Sequence, residues 1–119
     1  MMATLNVGSV VQDLKTRIGA IATAVVSRDG LVLYAAVPTG VCAETFAIMC
    51  ATIFGAASTA STELNRAPPE AIVIEGSDSK TIIAGCRKTG LLVAVVDHRA
   101  DLTRVLREAA KFAGLLMAN

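Results

Sequence analysis

The sequence predicts an α/β (α+β) sandwich: a five-stranded antiparallel sheet with helices on both faces. Five apolar runs, each long enough for a strand, do not alternate apolar with polar residues; they are residues 21–27, 31–36, 71–75, 81–86 and 91–96. Uninterrupted apolar strands are typical of a sheet that is covered on both faces. Short polar turns between neighbouring runs make the sheet antiparallel, because a parallel pair needs a long crossover.

Three helical patterns separate and flank these runs. Apolar residues at three- and four-residue spacing predict a first helix from Leu5 to Ile18, and an apolar pattern from Ala43 to Leu64 predicts a long central helix. The last helix follows Asp101, whose carboxylate suits the capping position. The order is helix, two strands, helix, three strands, helix, in one domain that spans residues 1–119. We expect the first and last helices on one face and the central helix on the other.

Composition excludes several classes of function. The 119 residues carry a net charge of +1 and only 3% aromatic residues, so we expect no nucleic-acid partner. Cys42, Cys50 and Cys86 are widely spaced in apolar sequence, which is typical of reduced core residues in a cytoplasmic protein. Residues 45–62 are uncharged, but threonines, serines and a glycine interrupt them, so we predict a soluble helix and no membrane insertion.

The residues offer few parts for catalysis. The single histidine, His98, lies between Asp97 and Asp101; a metal site there would need a further ligand, and a solvated loop is the favoured interpretation. Residues 74–81 and 82–89 each end in Lys-Thr like a phosphate loop, but they lack its glycines and join strands. We therefore expect no enzymatic activity, no cofactor and no metal.

The central helix is the most informative element for function. Between Glu44 and Glu63 it carries no charge, and small residues flatten part of its surface. A core helix of a three-layer sandwich would explain this pattern. A self-association face explains it better, because a monomer would otherwise expose a large apolar patch. The strand at residues 71–75 could pair edge to edge with its copy.

Several stretches resemble the roadblock family, which is named for a dynein light chain and includes small regulators of Ras-like GTPases. They are Val25-Val26-Ser27-Arg28-Asp29-Gly30-Leu31-Val32-Leu33, Phe46 to Leu64, Ile72-Val73-Ile74-Glu75-Gly76 and Leu91-Leu92-Val93-Ala94-Val95. The resemblance covers essentially the whole chain. Its motifs are structural, so they specify the fold better than the biochemical role.

The resemblance implies a dimer in which central helices pack together and third strands join two sheets, and it implies a small GTPase or a larger assembly as partner. We predict a homodimer whose interface includes Phe46, Met49, Cys50, Ile53, Ala56, Ala57, Ala60, Ile72, Val73 and Ile74. The predicted function is non-enzymatic modulation of the nucleotide cycle of a Ras-like GTPase. The alternative is a structural subunit of a motor or membrane-associated complex. Arg28, Arg66 and Arg87, at predicted turns, are either GTPase contacts or solvated turn residues.

Overall fold

The computed structural model describes residues 7–87 and 90–117. Its elements follow the predicted order and are α1 (Val7–Ile18), β1 (Ala22–Ser27), β2 (Val32–Ala36), α2 (Ala43–Glu63), β3 (Ala71–Glu75), β4 (Ser79–Arg87), β5 (Gly90–Asp97) and α3 (Leu102–Met117). The predicted start of the first helix at Leu5 lies outside the described residues. The α+β fold class is confirmed.

The five strands form one antiparallel sheet in the order β2-β1-β5-β4-β3. The first and last strands of the chain meet at the centre, where Val25 lies opposite Leu92. β2 and β3 are therefore the two edge strands. β3 is short and pairs only with β4, from Ala71 opposite Ala84 to Glu75 opposite Lys80.

Two hydrophobic clusters lie on opposite faces of this sheet. On one face, α1 and α3 pack over the sheet through Leu14 and Phe112, which contribute to a cluster with Leu92. On the other face, Cys50 and Phe54 of α2 belong to a second cluster. The predicted arrangement, with the first and last helices on one face and the central helix on the other, is what the structure shows.

The turn between β1 and β2 has the geometry that Asp-Gly predicts. Gly30 adopts φ 95°, and its amide donates to the carbonyl oxygen of Ser27 at 3.0 Å. A Cβ at this position would also lie 3.2 Å from the Cγ1 atom of Ile48. Glycine is thus required here both by the backbone conformation and by the close approach of α2.

The end of α2 is fixed by a Schellman motif. Asn65 has a left-handed φ of 56° and donates its amide to the carbonyl of Thr62, while the amide of Arg66 donates to the carbonyl of Ser61. Asparagine is one of the few residues other than glycine that occupies this conformation readily. α2 therefore ends before Pro68 and Pro69, and the chain turns towards β3.

The burial of α2 differs from the sequence prediction. The apolar pattern predicts a helix buried nearly all round, but only Ala47, Cys50, Ala51 and Phe54 of its 21 residues are buried within the chain. The sheet covers one side of a helix, and no described element of the chain packs on the outer side of α2. An apolar pattern indicates only that a helix surface is buried. It does not show whether that surface is buried against the same chain or against a second molecule.

Candidate interaction surface

An uncovered apolar stripe runs along the outer side of α2. It consists of Phe46, Met49, Ile53, Ala56 and Ala60, which we call the α2 stripe. Met49 is 51% and Ile53 is 37% exposed. The members follow one another at intervals of three and four residues, the spacing that forms the seam between two packed helices. The α2 stripe is thus shaped to receive another helix.

Two further helical residues of the predicted interface lie elsewhere on α2. Ala57 is half-buried at the border of the stripe. Cys50 is only 3% exposed and packs into the cluster between α2 and the sheet. Successive helical residues are about 100° apart, so Cys50 faces the sheet while Met49 faces solvent. Burial raises the pKa of the Cys50 thiol to about 11.

The three predicted β3 residues divide between the two faces of the sheet. Ile72 packs beside the cluster under α2, and Val73 packs beside the cluster under α3. Ile74 lies on the same face as Ile72, because side chains alternate along a strand, and it is 39% exposed. An open strand edge and an uncovered helix stripe thus share one side of the molecule.

The described cysteines differ sharply in their access to solvent. Cys42 is exposed at the start of α2, whereas Cys50 and Cys86 are buried, and none of the three forms a disulfide with a described residue. We expect iodoacetamide to modify Cys42 of the native protein quickly and the other two slowly, since the thiolate is the reacting species and burial suppresses it at Cys50. Mass spectrometry of labelled peptides measures the order. After denaturation, three thiols should react; a disulfide or fast labelling of Cys50 would contradict this expectation.

The three predicted GTPase-contact arginines lie in different local settings. The guanidinium of Arg28 lies over the Phe54 ring, 5.0 Å from its centroid. A Cβ added to Gly85 would come within 3.0 Å of Arg28 Nη2, so the absence of a side chain on β4 makes room for this arginine. Arg28 is exposed as a residue, and its guanidinium makes a cation–π contact with Phe54 of α2. No pattern in the sequence indicates this long-range contact.

Arg66 and Arg87 lie in other settings. Arg66 is exposed and completes the Schellman motif at the end of α2 through its backbone amide. Arg87 is the last residue of β4, and its side chain lies outside the described residues. Arg28 follows Ser27, which pairs with Gly90, and Gly90 also pairs with Arg87, so the backbones of Arg28 and Arg87 lie at the same end of the sheet.

The loop around His98 is organised by ion pairing and capping. Asp97 accepts hydrogen bonds from the Arg99 side chain at 2.8 Å and from its backbone amide at 2.9 Å, and these bonds lower the pKa of Asp97 to about 2. Asp101 accepts from the amide of Thr103 and so caps α3. In residues 7–87 and 90–117, no three histidine, cysteine or acidic side chains are grouped as metal ligands would be.

By length and composition alone, α2 could cross a membrane, and 22% of that candidate span is buried within the chain. A helix that packs one side on a sheet and presents the other to a protein partner passes the same test. The contacts of Phe54 and Cys50 with the sheet show that one side of α2 is part of the folded domain.

The family follows from comparison of the sequence with known domains. Residues 7–96 match the model of the Roadblock/LC7 domain. The chain belongs to the Roadblock/LC7 family. An uncharacterized protein of Methanocaldococcus jannaschii, MJ0714, is 32% identical over 101 residues, which are 85% of each chain. A second one, MJ0310, is 35% identical over 78 residues, covering 66% of this chain and 68% of the relative.

Solved structures show the same fold at low identity. Myxococcus xanthus MglB superposes with a TM-score of 0.90 at 17% identity, covering 94% of this chain and 92% of MglB. A Roadblock/LC7 domain from Streptomyces avermitilis gives 0.86 at 16% identity, covering 96% and 95%. Profilin II of Acanthamoeba castellanii gives 0.70 at 16% identity, covering 95% and 98%. The chain thus shares its overall fold with this profilin as well.

Proposed function

We propose that this Roadblock/LC7 protein is a non-enzymatic homodimer that binds a Ras-like small GTPase in the cytoplasm and modulates its nucleotide cycle. The observation that carries the proposal is the α2 stripe, an uncovered apolar helix face on the same side as the open edge of β3. The α2 stripe and the edge of β3 are suited to protein–protein association, and neither surface presents catalytic groups. The role requires no cofactor, nucleic acid or membrane insertion.

A second copy of the chain satisfies both surfaces at once. A two-fold interface places the same patch of each protomer against its copy. The α2 stripe is suited to this contact because α2 has no charge between Glu44 and Glu63, so no like charges meet at the seam. In the same assembly β3 would pair with its copy and join two five-stranded sheets. A related protein, MglB, has been solved in a tetrameric arrangement, so copies of that protein associate.

The GTPase partner is supported by the family, which includes regulators of Ras-like GTPases. A regulator changes a nucleotide cycle only if it binds the GTP and GDP forms with different affinity. Because the Arg28 guanidinium is packed on Phe54, we propose that the dimer repositions the GTPase's own switch loops instead of inserting Arg28 as a finger. If the dimer does not change the nucleotide cycle, its alternative role is that of a structural subunit with no effect on GTP hydrolysis.

Calorimetry separates these two roles. We expect the dimer to bind a Ras-like GTPase of its own organism with affinities for the GDP form and a non-hydrolysable GTP form that differ by roughly 5- to 150-fold, the usual range of such coupling. Equal affinities for the two nucleotide forms would contradict the regulatory role and favour the structural role. If the dimer binds none of these GTPases, both the proposed partner and its regulation are contradicted.

Hydrolysis by the complex tests the mechanism with matched variants. Arg28→Ala, Arg66→Ala and Arg87→Ala should each leave the stimulated rate within a few fold, because repositioned switch loops do not need a guanidinium from the regulator. Loss of about 10³-fold or more in one variant, with binding intact, would instead identify an arginine finger.

A further inference from the structure

A solvent-open apolar groove of about 270 Å³ lies on the opposite face of the sheet from α2. Ala110 and Gly114 of α3 form one wall, and Ala71 of β3 and Ile82 of β4 form the floor. The carboxylate-bearing residue Glu70 lies at the β3 side of the groove. The groove exists because α1 packs on β1 and β2 while α3 packs on β4 and β5, so this helical layer ends before β3.

A basic ridge borders the groove along α3. Arg107 and Lys111 are exposed, and Ala110 and Gly114 follow them by three residues, which makes them neighbours on the helix surface. Within residues 7–87 and 90–117, neither basic side chain has an ion-pair or hydrogen-bond partner. α1 and α3 together carry five basic and two acidic side chains, a net charge of +3, whereas α2 carries two acidic and no basic ones.

We propose that this groove receives an amphipathic helix of a partner protein whose apolar side lies on Ala71 and Ala110 and whose acidic flank faces Arg107 and Lys111. The helix would extend the α1/α3 layer over the strand that this layer leaves open. Helices pack 8–10 Å apart, which is about two strand spacings, so a helix beside α3, which packs on β4 and β5, would lie along the β3 edge of the sheet.

The charges decide the chemistry of the occupant. Arg107 and Lys111 are four residues apart on one helix face, where like charges repel each other. Carboxylates on an incoming helix relieve this repulsion, and a basic helix would increase it. Glu70, on the far side of the groove, favours a basic residue on the other flank of the partner. The orientation of the bound helix is thereby specified.

The groove and the α2 stripe lie on opposite faces of the sheet, so association through α2 does not cover the groove. Pairing of β3 with its copy would lengthen the sheet beside the groove without covering this face. A monomeric mass in light scattering would contradict the homodimer and leave this inference unaffected.

Selection from a display library tests the proposal. The probe is a library of peptides of about 18 residues, five helical turns, with apolar residues at helical spacing and the remaining positions randomised among acidic, basic and neutral polar residues. We expect the full-length protein to enrich peptides with one acidic flank. Enrichment without acidic bias, or no enrichment, would overturn the proposal.

Two variants locate the binding of the enriched peptides. Gly114→Leu fills the groove, and its new side chain is accommodated because, apart from the adjacent residues and backbone of its own helix, no heavy atom lies within 4 Å of the place that its Cβ would occupy. We expect affinity to fall by about tenfold or more. Gly55→Leu is the matched control, since it adds the same side chain to α2 with equal free space. Undiminished binding to Gly114→Leu would overturn the proposal even if the peptides are acidic.

Charge reversal distinguishes a protein helix from an anionic lipid surface. Arg107→Glu with Lys111→Glu should weaken the binding of the enriched peptides by about tenfold or more, while Arg66→Glu with Lys15→Glu, an equal change in net charge away from the groove, should not. The same proteins are mixed with phosphatidylserine–phosphatidylcholine vesicles. The proposal of a partner helix would be overturned if vesicle binding requires Arg107 and Lys111 while peptide binding is unaffected by their reversal. The basic ridge would then bind a membrane surface.

Discussion

Replacing Ala56 with arginine is expected to convert a homodimer into a folded monomer of 12.3 kDa. Ala56 is exposed in the single chain and lies at the centre of the α2 stripe, between Ile53 and Ala60. A guanidinium at this position is hydrated in the monomer but loses its water in a helix seam. An unpaired buried charge costs about 3–5 kcal/mol, which weakens association by roughly 10²- to 10³-fold or more.

Light scattering at micromolar concentration measures the change, and circular dichroism confirms that the variant is folded. Thr62→Arg is the control, because Thr62 is exposed on α2 about a third of a turn around the helix from Ala56. It should keep the mass of the dimer. A monomeric mass for the unsubstituted protein, or an unchanged dimer for Ala56→Arg, would contradict the proposed seam.

The central strands were predictable because both of their faces are buried within one chain. Val93 packs under α2 and its neighbours Leu92 and Ala94 pack under α3, so the run has no polar alternation. The Asp29-Gly30 turn was predictable because few residues tolerate φ 95°. These signals are local, and the sequence carries them in full.

The surface of α2 was harder to interpret, because its two sides are almost equally apolar. Cys50 and Met49 are adjacent, yet one is buried under α2 and the other is half exposed to solvent. Only the rotation of the helix about its axis separates them, and contacts with distant strands set that rotation. The same limit applies to the arginines: the contact of Arg28 with Phe54 joins residues far apart in the chain.

The groove beside α3 had no sequence signal for a related reason. Ala110 and Gly114 are ordinary small residues of a helix, and Ala71 is an ordinary strand residue. The groove forms only because α3 packs over β4 and β5 and leaves β3 open. Layer packing is a tertiary property, so apolar spacing along one element does not reveal it.

Leu14→Ala is expected to lower the free energy of unfolding by about 2–5 kcal/mol. Leu14 is fully buried in the cluster between α1, α3 and the sheet, and its truncation leaves a cavity there. Domains of this kind are stabilised by only about 5–15 kcal/mol in total, so the loss is a large fraction. Urea denaturation measures it.

Ile53→Ala is the counterpart to Leu14→Ala, because Ile53 lies in the α2 stripe and Leu14 lies in the core of the chain. In the Ala56→Arg monomer, we expect it to lower the free energy of unfolding by less than about 1 kcal/mol, since Ile53 is 37% exposed and loses little packing within the chain. Leu14→Ala should remain as costly in that monomer as in the dimer, because Leu14 contacts only its own chain. If Ile53→Ala proves as costly as Leu14→Ala in the monomer, the α2 stripe is packed within the chain, and a second copy is not what covers it.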